Sequence, residues 1–116
     1  MRSKDLQTLR KIYEHVDAIS LYCKDCISFQ NFQSNHMRVD ACVFNLMQIG
    51  ELAKTALSDE VKSQLSSIPW KQIYGMRNRI VHGYAGVELK IVWETIENDL
   101  PKLKKELKKQ INELHD

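Results

Sequence analysis

The sequence predicts an all-α fold, an antiparallel four-helix bundle with a short extra helix. Three observations predict it. Apolar residues recur every three or four positions through four long stretches, the period of a helix with one buried face. Only four Gly and two Pro occur in 116 residues, too few for an all-β architecture built on tight turns. The links between the stretches are short, which makes successive helices antiparallel neighbours. A chain of this length is read as one domain, residues 1–116.

The first helix is expected from Lys4 to Ile27. Leu6, Leu9, Tyr13, Val16, Ser20, Cys23 and Ile27 form its stripe, widened by Ile12, Ile19 and Cys26. A polar loop from Ser28 to Asn35 follows. The second helix is expected from His36 to Leu57. Cys42, Leu46, Ile49, Ala53 and Ala56 form one stripe, and Val43, Phe44, Met47, Leu52 and Leu57 carry it well beyond a narrow seam. A helix this widely apolar buries more than one face, against its own core and against a partner subunit. Gly50 costs helix stability. It reads equally as the site of a close helix crossing or as a glycine tolerated on a packed face. Its neighbour Glu51 is read as solvated.

Ser58-Asp59-Glu60 has the form of a helix cap followed by acids in the first turn, so a short helix is expected through Leu65. Ser66-Ser67 breaks it. Ile68-Pro69-Trp70 opens the third long helix, with Pro69 suited to its first position. Trp70, Ile73, Tyr74, Ile80 and Val81 are its apolar contacts, and Gly83 ends it. The last helix begins near Val87. Leu89, Trp93, Ile96, Leu100, Leu103, Leu107, Ile111 and Leu114 keep one phase across Pro101, which predicts a kink there.

Composition narrows the function classes. A net charge of +2 with a pI near 8.4 permits nucleic-acid binding without arguing for it. No apolar run approaches the roughly 20 residues that span a bilayer, and the polar start gives no secretory signal. A cytoplasmic protein without a membrane segment is expected. Three cysteines, Cys23, Cys26 and Cys42, fit a reducing compartment better than a disulfide framework. Cys23 and Cys26 form a lone Cys-x-x-Cys, which admits a redox pair or half a metal site. The adopted reading is that of buried small hydrophobes. His15, His36 and His115 are scattered away from ligand partners, so no metal and no cofactor is expected. The lysines at 102, 104, 105, 108 and 109 are read as the solvated face of the last helix rather than an RNA-attracting patch.

The chemistry concentrates in Met76-Arg77-Asn78-Arg79-Ile80-Val81-His82-Gly83-Tyr84, an Arg-x4-His-x-Tyr pattern. Arg77 offers a planar fork of donors that matches phosphate oxygens. His82 can move a proton near neutral pH. On a helical wheel Asn78 and His82 share a face, whereas Arg77 and His82 lie about 140° apart. Arginine's length, a backbone departure at Gly83, or a second copy of the helix in a dimer would each bring them together. The chemistry this suggests is RNA cleavage by a ribose 2′-hydroxyl, with Arg77 stabilising phosphate charge and His82 as general base or acid. Taken alone, the stretch is better explained as a helix C-terminus, with its His on the helix dipole and two solvated arginines.

Several further segments shift that balance. Asp40-Ala41, Ile49-Gly50-Glu51, Ile68-Pro69-Trp70, Gly75-Met76-Arg77-Asn78-Arg79, His82-Gly83-Tyr84 and Val92-Trp93 before Leu100-Pro101-Lys102-Leu103 occur in that order. Together they resemble the HepT-like branch of the HEPN domains, over essentially the whole chain. The resemblance implies a homodimeric four-helix bundle with the Arg and His of both subunits lining a shared cleft. It implies a metal-independent endoribonuclease, the toxin of a type II or VII-like toxin–antitoxin pair. The implied antitoxin is a minimal nucleotidyltransferase that attaches AMP to the motif tyrosine. The catalytic pair then falls on Arg77 and His82, and the modified residue on Tyr84. Asn78, Arg79 and Tyr84 stand as supporting or substrate-binding residues. The alternative is a non-catalytic module of the same fold that docks the nucleotidyltransferase or binds nucleotide.

Overall fold

The computed structural model describes residues 3–83 and 88–114, with His82, Gly83 and Leu114 described by their backbone alone. Among the described residues every regular element is helical. Helix α1 spans Ser3–Tyr22, α2 Phe29–Gln33, α3 His36–Thr55, α4 Asp59–Gln64 and α5 Trp70–Gly83. Then come α6 (Leu89–Glu94), a π-helical turn (Thr95–Asp99) and α7 (Leu100–Leu114). No helix of the described residues is long and apolar enough to cross a membrane.

Helix α3 is the shared neighbour of α1 and α5, and α7 packs on α1. That arrangement explains the broad apolar surface of α3. Cys42, Val43, Leu46, Ile49 and Ala53 are all buried, in one core with Leu9, Ile12, Val16 and Ile19 of α1 and Leu100, Leu103 and Leu107 of α7. Each Val, Leu or Ile among them contributes about 1.5–3 kcal/mol by leaving water. Two expected core residues are exposed instead, Ile27 at 87% and Val81 at 42%. Phe44, assigned to the extended stripe of the second helix, is 54% exposed.

Three local expectations are corrected. Helix α1 stops at Tyr22, not Ile27, because the chain turns at Cys23, where the Cys26 N–H donates to the Cys23 carbonyl at 3.0 Å. The segment read as a polar loop contains α2. Ser28 caps it by accepting from the Asn31 N–H, and Phe32 is driven fully inside, where its ring lies 5.4 Å from that of Trp93. The third correction concerns Pro101. Val87 lies outside the described residues, and the helical phase from Leu89 onward is kept. In place of a simple kink, the turn before Pro101 widens to π geometry, with the Leu100 N–H donating to the Thr95 carbonyl five residues back. Proline has no N–H to offer the preceding turn and its ring crowds that turn's carbonyl. A π turn is one way a helix absorbs such a misfit.

The remaining links fix α5. Ser58 caps α4, accepting from the Val61 N–H, and is itself tied to α1 because buried Asp5 accepts from both its N–H and its hydroxyl. The Trp70 indole N–H donates to the carbonyls of Lys62 and Leu65, and the Tyr74 hydroxyl to that of Ala53. Pro69 stands one residue before α5, its carbonyl accepting from the Ile73 N–H at 3.1 Å. The start of α5 is thus anchored on α3 and α4 before the chain reaches Arg77.

Candidate active site

The site begins with a glycine. A Cβ built on Gly50 would lie 2.2 Å from the Cβ of Arg77 and 3.3 Å from the Ile73 carbonyl oxygen. Of the two readings of Gly50, the close crossing is the one found. The absent side chain lets α5 approach α3 so nearly that Arg77 runs directly across the α3 backbone.

One residue on, Glu51 receives the guanidinium. Arg77 Nε and Nη2 both donate to Glu51 Oε1, and Nη1 donates to Asn78 Oδ1 at 2.8 Å. The Arg77 side chain is only 15% exposed and that of Glu51 34%. Glu51 is therefore not the solvated residue of the sequence reading. It holds an otherwise largely buried cation. A guanidinium has five N–H donors. The contacts described leave one on Nη1 and one on Nη2 for an incoming oxygen anion.

The other candidates distribute as follows. Asn78 sits beside Arg77 and accepts from its Nη1. Arg79 is exposed and lies on the other side of α5, about 160° from Arg77. There it lines a groove with Gln72, Glu94, Asn98 and Asp99, of about 390 Å³. The structure does not bring it to the Arg77 pair. The backbone remains helical through His82 and Gly83, so no departure at Gly83 carries His82 toward Arg77. Asn78 and His82 stay one turn apart on one face. Tyr84 lies outside the described residues.

The two helices that carry this pair also expose apolar residues. Met37, Phe44 and Glu51 are seven residues apart on α3 and so share a face, and Met37 and Phe44 are 84% and 54% exposed. Val81, one turn beyond Arg77 on α5, is exposed as well.

The remaining sequence candidates lie elsewhere. Among the described residues no group of three or more His, Cys, Asp or Glu is arranged to hold a metal ion. His15 Nδ1 is 2.7 Å from Asn45 Oδ1, a tie between α1 and α3. Lys104 pairs with Asp17 at 3.0 Å, while the other four lysines of its cluster are exposed. Glu51 is the candidate site residue that sequence reasoning passed over. Its position beside Gly50, at a helix crossing, was the available signal.

The chain matches the family model described as ribonuclease HepT-like over residues 6–110. Comparison with solved structures returns no match. Among curated relatives, "Putative RNase TTE0752" of Caldanaerobacter subterraneus is 42% identical over 82 residues, 71% of this chain and 72% of that one. "Putative RNase MJ0125" of Methanocaldococcus jannaschii is 32% identical across 100% of this chain and 99% of its own. "Probable ribonuclease HepT" of Thermococcus cleftensis is 28% identical, covering 94% and 97%. The family match extends through both helices that form the Gly50–Glu51–Arg77 junction, and on it the chain belongs to the HepT-like ribonuclease family.

Proposed function

We propose that this protein is a metal-independent endoribonuclease, the toxin of a toxin–antitoxin pair, which works as a homodimer in the cytoplasm. The observation that carries this reading is the state of Arg77. Its guanidinium is fixed by Glu51 and Asn78 and largely buried, and the contacts among the described residues use only part of its N–H donors, leaving others for a phosphate. Preorganised donors of this kind stabilise developing charge without reorganising during reaction.

In the reaction a base removes the proton of a ribose 2′-hydroxyl. The 2′-oxygen attacks the adjacent phosphorus, and the 5′-oxygen departs with a proton. Arg77 stabilises the charge gained by the phosphoryl oxygens, and His82 serves as base or acid. One imidazole cannot conveniently do both, and Arg77 and His82 diverge by about 140° on a helix that stays regular. Both points favour a shared cleft to which two copies contribute. The exposed Met37 and Phe44 on the Glu51 face of α3, with Val81 on α5, supply an apolar face for such a dimer. A single antiparallel four-helix domain completes this reading of the fold.

The proposed antitoxin is a minimal nucleotidyltransferase that attaches AMP to Tyr84. An adenylyl group would set an anionic phosphodiester two residues beyond His82, where it competes with the substrate phosphate.

A non-catalytic docking module is the second reading. It is favoured by one observation, that Glu51 already neutralises the Arg77 cation. Expression of the chain without its partner separates the two. Growth arrest with RNA fragmentation, lost in Arg77→Ala and in His82→Ala, is the expected result. Normal growth with intact RNA would establish the docking module, and full activity in both variants would remove Arg77 and His82 from the site.

A further inference from the structure

The three cysteines, scattered at positions 23, 26 and 42, meet in the fold. Cys23 lies on the turn after α1, and Cys42 is buried on α3. Their Sγ atoms are 3.6 Å apart. Cys26 is held nearby by the bond from its N–H to the Cys23 carbonyl. Cys23 and Cys26 are half-buried and line a cavity of about 260 Å³ with Trp93, Glu97 and Pro101. A small oxidant in that cavity would lie against Cys23, the residue in contact with the buried Cys42 sulfur.

We propose that Cys23 and Cys42 form a reversible dithiol–disulfide pair that responds to peroxide, with Cys26 as the thiol left out. The two sulfurs have to close from 3.6 Å to the S–S distance of about 2 Å. With hydrogen peroxide, a thiolate of the pair attacks one peroxide oxygen and leaves as a sulfenic acid, releasing water. The second thiol displaces the sulfenic oxygen as another water and closes the S–S bond. Two electrons pass from the sulfurs to the peroxide, and the two thiol protons leave in the two waters.

The asymmetry of the pair supports the geometry. The contact with Cys23 lowers the Cys42 thiol, against the opposing effect of burial, and the same contact together with burial raises Cys23. Burial raises Cys26 as it raises Cys23, and the Cys26 thiol also interacts with that of Cys23. The bond would close a loop of 19 positions and pin the end of α1 to α3, the helix that also carries Gly50 and Glu51. The pair is independent of the ribonuclease reading, since none of its atoms belongs to the Arg77 junction.

The test treats the full-length reduced protein with hydrogen peroxide, followed by non-reducing peptide mapping and intact mass. The expected result is an intramolecular Cys23–Cys42 link, a mass lower by about 2 Da, one alkylatable thiol at Cys26, and full reversal by dithiothreitol. The oxidised form should melt higher by on the order of 10 °C. Cys26→Ser should oxidise identically, while Cys23→Ser and Cys42→Ser should not lose the mass. If either of the latter fails to fold, the wild-type map and Cys26→Ser still decide. A Cys23–Cys26 link, a link between chains, or three unmodified thiols would overturn the proposal.

Discussion

Gly50 and Arg77 occupy one crossing point, and a Cβ on the first would lie 2.2 Å from the Cβ of the second. Arg77 can lie against Glu51 because residue 50 has no side chain. Helix packing and the proposed chemistry thus depend on the same missing methyl group.

Gly50→Ala should therefore damage both. The clash is with atoms close to the α5 backbone, which cannot swing aside as a side-chain tip can. Overpacking of this kind costs about 1–3 kcal/mol, more than alanine's helix propensity returns. Urea denaturation should show the loss, together with reduced RNA cleavage. Unchanged stability would mean that α3 and α5 do not approach this closely.

Glu51→Gln keeps the shape of the site and removes the charge that holds Arg77. Leaving a mostly buried guanidinium without its carboxylate should cost about 1–3 kcal/mol of stability. Cleavage should fall at least about tenfold, mainly in kcat, as Arg77 loses its fixed position. A variant that cleaves RNA faster would show that Glu51 acts as a brake on Arg77 and not as its support.

Phe44→Lys tests the dimer. Phe44 is 54% exposed and touches the buried core little, so the variant should keep its helical circular dichroism. In sedimentation velocity it should run as a monomer where the wild type runs as a dimer, and it should lose cleavage. A dimer that survives the substitution would move the interface away from this face of α3.

Tyr84→Phe should leave ribonuclease activity within about twofold of wild type, since a phenol is not needed to carry either proton. Cells that also express the nucleotidyltransferase should then no longer be protected, and intact mass should show no added AMP. Continued covalent silencing of this variant would place the modification on another residue.

Much of the framework was legible before any contact was known. The helical period marked α1, α3, α5 and the phase of α7, and the Ser58 cap marked the start of α4, because periodicity and capping act over one or two turns. The same local rules failed where burial overrode them. The polar run from Ser28 to Asn35 hid α2, whose single core residue, Phe32, gives no period. The misfit at Pro101 was visible, but its answer, a π turn at Thr95–Asp99, depends on keeping Ile96 and Leu100 in the core.

For the site, the sequence by itself determined that Arg77 and His82 lie on one helix, about 140° apart, near a glycine end. Only the tertiary structure decided what surrounds Arg77. Glu51 is 26 residues away and Cys42 is 19 from Cys23, separations at which local patterns carry no information. Those pairs form because α3 is covered on one side by α1 and on the other by α5. Where such helices cross is set by the sizes of the side chains that meet there, and at the α3–α5 crossing that size is the single hydrogen of Gly50.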